Sequence, residues 1–359
     1  MALPPLDIVE DLDDHHLLVL PTGIGPESVE ILATSRFPRA AWEPPAATPQ
    51  VGARAPRLAT PPPGVLRLSR LTTLAGPYLV DRGTATELGL PAGGGTAYVL
   101  DTPTERGNPP WSGTTGDRDG LARAFPEGLP VRDEARMLEW AIAVARRLAG
   151  SVRTAAGPGG RAPVVLTPDP AAAVDLTIWS DLWLDPDAAL AVMRQAIPRA
   201  YLNLPAGTWQ GPAHAVGPGG AGHPLPGTEP LTQAQREYLH AEADAYDRAM
   251  LEEPVPMDSY GLLADLDLDG FVALEIGGET NPPPVVAGLP WAAQGAVAYR
   301  VRWEPVEEAD LEKERAPLAH RVARGRATPL VVAVARAVHA KVGGEVTDMM
   351  GFVVDPADL

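Results

Sequence analysis

Cysteine is absent from the 359 residues. That excludes disulfides, thiolate zinc sites, iron–sulfur clusters and a cysteine nucleophile. Lysine is nearly absent too: Lys313 and Lys341 are the only two, and arginine supplies the rest of the 29 positive charges. Against 46 acidic residues the net charge is −17, with pI near 4.8, so a surface for duplex nucleic acid is not expected. Serine is sparse and never flanked by the glycines of a nucleophile elbow; Ser-x-x-Lys and the Gly-Lys-Ser/Thr of a Walker loop are also missing. No apolar run approaches the ~18–20 residues of a membrane span, and the N-terminus lacks the basic and apolar regions of a secretory signal. The expectation is a soluble cytoplasmic protein with no cofactor.

Glycine and proline are plentiful, at 36 and 41 residues, while 45% of the chain is still apolar. A packed core interrupted by long loops satisfies both numbers. The excess of arginine over lysine, with abundant Ala, Gly and Pro, reads as the codon bias of a GC-rich bacterial genome.

Along the chain, Leu17-Leu18-Val19-Leu20 reads as a buried strand. Pro26 opens a helix at its first position. Residues 38–64 form a proline-rich arm without periodicity. Strands are expected at 65–71, 78–80 and 96–100, then a Gly/Pro-rich loop, 101–130, that carries Trp111. A helix capped by Asp133 buries Met137, Leu138, Trp140, Ile142 and Val144. The alternating run 176–184 reads as one strand, which puts Trp179 and Trp183 on a common face. Asp185-Pro186 starts the next helix, and residues 201–204 return as a strand. A second Gly/Pro-rich loop, 205–230, holds Trp209, His214 and His223. Thr232 and Gln235 make a capping box for a helix with the seam Leu239, Ala243, Tyr246 and Met250. A hairpin over 260–276 and a strand over 297–303 follow. The segment 307–326 is charged and partly helical, Pro329 opens the last helix, and residues 352–354 close the chain as a strand.

Several motifs repeat. Ala141–Arg146 resembles Val331–Arg336, Asp169-Pro170-Ala171 resembles Asp355-Pro356-Ala357, and Ala97-Tyr98 resembles Ala298-Tyr299. They suggest that residues 97–171 and 298–357 are copies of one unit. The fold expected is α+β, with antiparallel or mixed sheets built from β-hairpins and single amphipathic helices, in two duplicated halves. The first half would be residues 1–230 and the second 231–359.

Chemistry is harder to find. Gly23 and Gly25 sit where a dinucleotide fingerprint would, but Ser28 replaces the third glycine and Pro26 removes an amide, so a structural turn is favoured. His15-His16 beside Asp11, Asp13 and Asp14, and Glu237 with His240 and Asp244, are read as solvated acidic faces and not as metal sites. His339 belongs to a polar helix face. Arg315, Arg321, Arg324 and Arg326 follow Glu307, Glu308, Asp310, Glu312 and Glu314, and salt bridging within this segment is expected. Asp265, Asp267, Asp269 and Gly270 mimic a calcium loop, but Ile276 stands where the bidentate glutamate belongs. A three-residue hairpin loop, 268–270, pairing Leu266 with Val272 and Leu262 with Ile276, explains them better. No residue is assigned a catalytic, cofactor or metal role. Two functions are entertained: a non-catalytic binding or scaffold protein that meets a protein or small ligand through Trp111, Trp209 and Trp291, and a hydrolase built on His214 or His223 with a carboxylate.

Overall fold

The computed structural model describes residues 3–7, 12–43, 63–91, 94–111, 116–203, 232–252 and 258–359. The first unit contains strands β1 (His16–Leu20), β2 (Ala41–Trp42), β3 (Gly64–Arg67), β4 (Thr73–Val80), β5 (Gly95–Asp101), β6 (Ser151–Arg153) and β7 (Val165–Leu166). Its helices are α1 (Pro26–Arg36), α2 (Arg82–Glu87), α3 (Leu121–Ala124) and α4 (Arg132–Arg147). The apolar run in β1 is buried at all five positions because both faces of the sheet are covered. Leu18 and Leu20 face α1 and α4, together with Leu66, Leu74, Tyr98 and Val152. Leu17 and Val19 face α2 and the N-terminal segment through Ala85, Leu88, Leu6 and Leu12.

The second unit has β8 (Leu176–Ser180), β9 (Tyr201–Asn203), β10 (Ser259–Asp265), β11 (Phe271–Glu279), β12 (Ala296–Glu304), β13 (Glu345–Asp348) and β14 (Val353–Val354). Its helices are α5 (Pro186–Ala196), α6 (Gln233–Glu252), α7 (Pro284–Ala287) and α8 (Leu318–Val342). The first sheet runs β2-β3-β4-β5-β1-β6-β7 and the second β9-β10-β11-β12-β8-β13-β14. Strand for strand the order is the same, and neighbouring strands are antiparallel throughout. Registers agree as well: Tyr98 lies opposite Leu18 as Tyr299 lies opposite Ile178, and Leu66 opposite Leu74 as Leu262 opposite Leu274. The chain is therefore α+β, and its two similar sheets are compatible with duplicated halves.

Side chains carry the repeat further than the sequence motifs did. Pro26, Pro38, Arg39 and Ala40 recur as Pro186, Pro198, Arg199 and Ala200 without a gap. The buried face of α1, Val29, Leu32 and Ala33, recurs as Ala189, Val192 and Met193 of α5. Both Asp169 and Asp355 accept from the amide two residues on, closing equivalent single turns at the ends of the units.

Five expectations need correction. The sheets divide between Leu166 and Leu176 and not at residue 230, because β8 and β9 pair only within the second sheet. The strand 176–184 ends at Ser180; Trp179 packs on the α7 side, while Trp183 leaves the sheet and meets Tyr260 with ring centroids 5.5 Å apart. Pro329 lies inside α8, where Ala327 and Val331 on either side of it are fully buried against the sheet. That packing offsets the ~3 kcal/mol an interior proline costs. Asp133 is in the first turn of α4, with Val131 at the cap, and its amide is bonded by the Glu105 carboxylate at 3.2 Å. The hairpin has a five-residue loop, 266–270, which pairs Asp265 with Phe271 and Leu262 with Leu274. A two-residue shift keeps the same face toward the core, so Leu262, Ala264, Val272, Leu274 and Ile276 are still buried.

Candidate functional site

The units meet at a cleft of about 620 Å³. The first unit contributes the β5–α4 connection, the end of α4 and the turn at Asp169; the second contributes the starts of β8 and α8 and the β12–α8 connection. The two connections are tied together. Asp117 donates its amide to Glu312 O at 2.9 Å, and Arg123 pairs with Glu314 at 2.7 Å. Asp117 also accepts from the amides of Ala122 and Arg123, which starts α3 and aims the adjacent Arg118 at the junction.

Most cations of the cleft are already matched. Arg324 pairs with Asp169 at 2.5 Å, Arg302 with Glu275 at 3.2 Å and Lys313 with Asp310 at 2.5 Å, while Arg146 pairs with Asp119. Arg118 differs. It donates to Ala172 O at 2.9 Å and lies 3.6 Å from the Met349 sulfur, but no carboxylate among the described residues is within ion-pair distance. Burial, and then the neighbouring Arg146 charge, push its pKa below the ordinary guanidinium value. On the other side Asp175 is raised above the usual carboxylate range by burial, although it accepts the Trp303 amide at 3.0 Å. His320 is held below the ordinary histidine value by burial and by Arg324, and its ring lies against Trp303 with centroids 4.9 Å apart. The cleft thus offers a cation for an anionic group, a carboxyl to receive a donor, and a neutral imidazole.

The residues singled out from sequence fall elsewhere. His16 is buried, accepts the Ala155 amide at Nδ1 (2.8 Å) and contacts Glu134 through Nε2 at 3.0 Å. Since Nδ1 must be the acceptor, Nε2 carries the proton and donates. Glu134, itself fully buried, also pairs with Arg106 and receives the Glu105 amide. This is a structural cluster in place of the solvated acidic face expected there. His15 lies 3.7 Å from Asp101. His339 is half-buried and contacts Gly344 O. Glu237 and His240 are exposed on α6, as are Leu239 and Tyr246 of its seam; the side chains of Asp244 and Met250 lie outside the described set. Thr232 and Gln235 do form the reciprocal capping box.

Trp111 is 74% exposed in the same connection as Arg118, whereas Trp291 packs beside α7. Trp209, His214 and His223, and residues 44–62 of the proline-rich arm, lie outside the described residues. Of the arginines in 315–326, Arg324 pairs with Asp169 and Arg326 with Asp269, both outside the preceding acidic run. Among the described residues no group of histidine and carboxylates could hold a metal ion, and no helix is long and apolar enough to cross a membrane. Arg118, Asp175, Trp303 and His320 had no shared motif; the one signal was the long Gly/Pro-rich loop that carries Arg118. Comparison of the chain with protein-family models, curated proteins and solved structures finds no match.

Proposed function

We propose that the protein is a binding protein whose ligand sits in the cleft between the two units. Arg118 carries this reading: it is half-buried and donates to Ala172 O, and among the described residues no carboxylate reaches it at ion-pair distance, Asp119, Glu312 and Asp175 acting on it only from farther away. A ligand with an anionic group near Arg118 and a hydrogen-bond donor near Asp175 would complete both. The Trp111 side of the β5–α4 connection would form the rim, as expected of an aromatic on a binding loop.

Native mass spectrometry of the chain purified from its own organism tests the proposal. The wild type should carry a non-covalent small-molecule adduct that Arg118→Ala releases. A wild-type chain of bare sequence mass, or an adduct that the variant keeps in full, contradicts it.

A further inference from the structure

A second cavity, of about 480 Å³, lies on the first unit alone, between the end of α1 and the β3–β4 turn. Arg36, Arg39, Arg67, Arg70 and Arg136 line it and no carboxylate does, in a chain of net charge −17. Its floor is apolar, from the buried Phe37 and Leu68. Three of the arginines are engaged from outside the cavity: Arg67 by Glu43, Arg136 by Asp133 at 2.8 Å, and Arg36 with Met350 O at 2.5 Å. Arg39 and Arg70 are exposed and make no ion pair among the described residues.

The second unit shows what a closed version looks like. Arg39 corresponds to Arg199, and Arg136 to Arg326, in ungapped stretches of the repeat. The second hairpin is two residues longer on each strand, so the turns are matched at their tips, where Leu68 and Leu266 are both buried and both donate to the carbonyl four residues on. In the second unit that turn supplies Asp267 to Arg199 at 3.0 Å and Asp269 to Arg326 at 3.3 Å. In the first unit Ser69 and Leu71 stand at those places, and Arg70 lies between them. The second unit neutralises both arginines from the turn; in the first unit the turn carries no acid, Arg136 is held by Asp133 of its own helix, and Arg39 is left beside a further cation, Arg70.

We propose that this cavity is an anion site for a small soluble ligand carrying a di- or triphosphate. Guanidinium groups match phosphate oxygens in a fork, and two uncompensated arginines from different elements call for at least two negative charges in a compact group. The apolar floor leaves room for the rest of the ligand.

Isothermal titration calorimetry of the full chain with inorganic pyrophosphate, at constant ionic strength, tests it. Saturable one-to-one binding is expected, weakened about tenfold or more in the Arg39→Ala/Arg70→Ala double variant. Arg199→Ala, in the corresponding place of the second unit, should bind as the wild type does. Because Arg39 and Arg70 are exposed, the double variant should keep the wild-type circular dichroism spectrum, and Arg39→Lys/Arg70→Lys should bind with intermediate strength. No saturable heat from the wild type, an undiminished affinity in the double variant, or an equal loss in Arg199→Ala overturns the proposal. So does binding to phosphatidic acid vesicles without binding to pyrophosphate.

Discussion

Tyr98 and Tyr299 hold the same place in the two sheets, and their hydroxyls have different fates. Tyr299 donates to Leu182 O and accepts from the Leu184 amide, both at 2.9 Å. The Tyr98 hydroxyl is buried without a hydrogen-bond partner among the described residues, and burial pushes its pKa up to about 12. Removing a satisfied hydroxyl costs stability, while removing an orphan does not. Tyr299→Phe should therefore lose about 1–2 kcal/mol in urea unfolding, and Tyr98→Phe should lose nothing or gain slightly. Equal losses would contradict the assignment of the two bonds. His16 gives a pH-dependent counterpart, since burial and then the Arg106 charge hold it down at about 3. Above pH 6.5 the ring is neutral in both folded and unfolded chains. Below it the unfolded chain takes up a proton that the folded one refuses, so this contribution falls as pH drops toward 3. Between pH 7.5 and 5 the loss should be about 2 kcal/mol. The second unit has Leu176 in this place, and His16→Leu should be less stable at pH 7 yet flatter over that interval. A variant with the wild-type slope would show that His16 is not the group responsible.

Within single elements, Gly270 offers the sharpest test of the hairpin. Its φ is +90°, and a Cβ there would lie 2.2 Å from the Glu304 carbonyl oxygen. Gly270→Ala should cost about 2 kcal/mol or more, read as a fall in the urea midpoint; a change within about 0.5 kcal/mol would mean the loop is built otherwise. The positive φ at this residue was legible from the turn chemistry, and the buried face from the alternation of Leu262, Ala264, Val272 and Leu274. The loop length was not, because a two-residue shift leaves every side chain on its face and only the distant pairs Arg199–Asp267 and Arg326–Asp269 single out the observed loop. Similar reasons explain the other elements. The apolar run marked β1, the apolar stripe marked the body of α4, and Asp185-Pro186 marked the start of α5, since those signals are local. Pro329 misled because a local rule was overridden by burial on both sides. Arg118 and Asp175 are far apart in sequence and belong to different units, so no spacing could have joined them.

Across the whole molecule, the two units are packed together and do not hang on a linker. Phe352, from the β13–β14 turn of the second unit, is fully buried in the core of the first, with the Arg36 guanidinium 5.7 Å from its ring centroid. Arg147 reaches Asp348 at 3.6 Å across the same boundary, and α1 packs against α7. A burial of this kind ties the stability of one unit to that of the other, and it fixes the cleft, whose walls come from both. The likeness of the two units was visible as three short motifs, but their boundary was misplaced, because the second Gly/Pro-rich loop, where the halves were divided, falls between β9 and β10 of one sheet. Hydrogen exchange, with the species released from the purified protein added back, tests most directly whether the junction is the binding site. Amides of residues 116–124 and 304–316 should gain protection together, since they come from opposite walls of one cleft. Protection confined to one unit, or none at either segment, would contradict it.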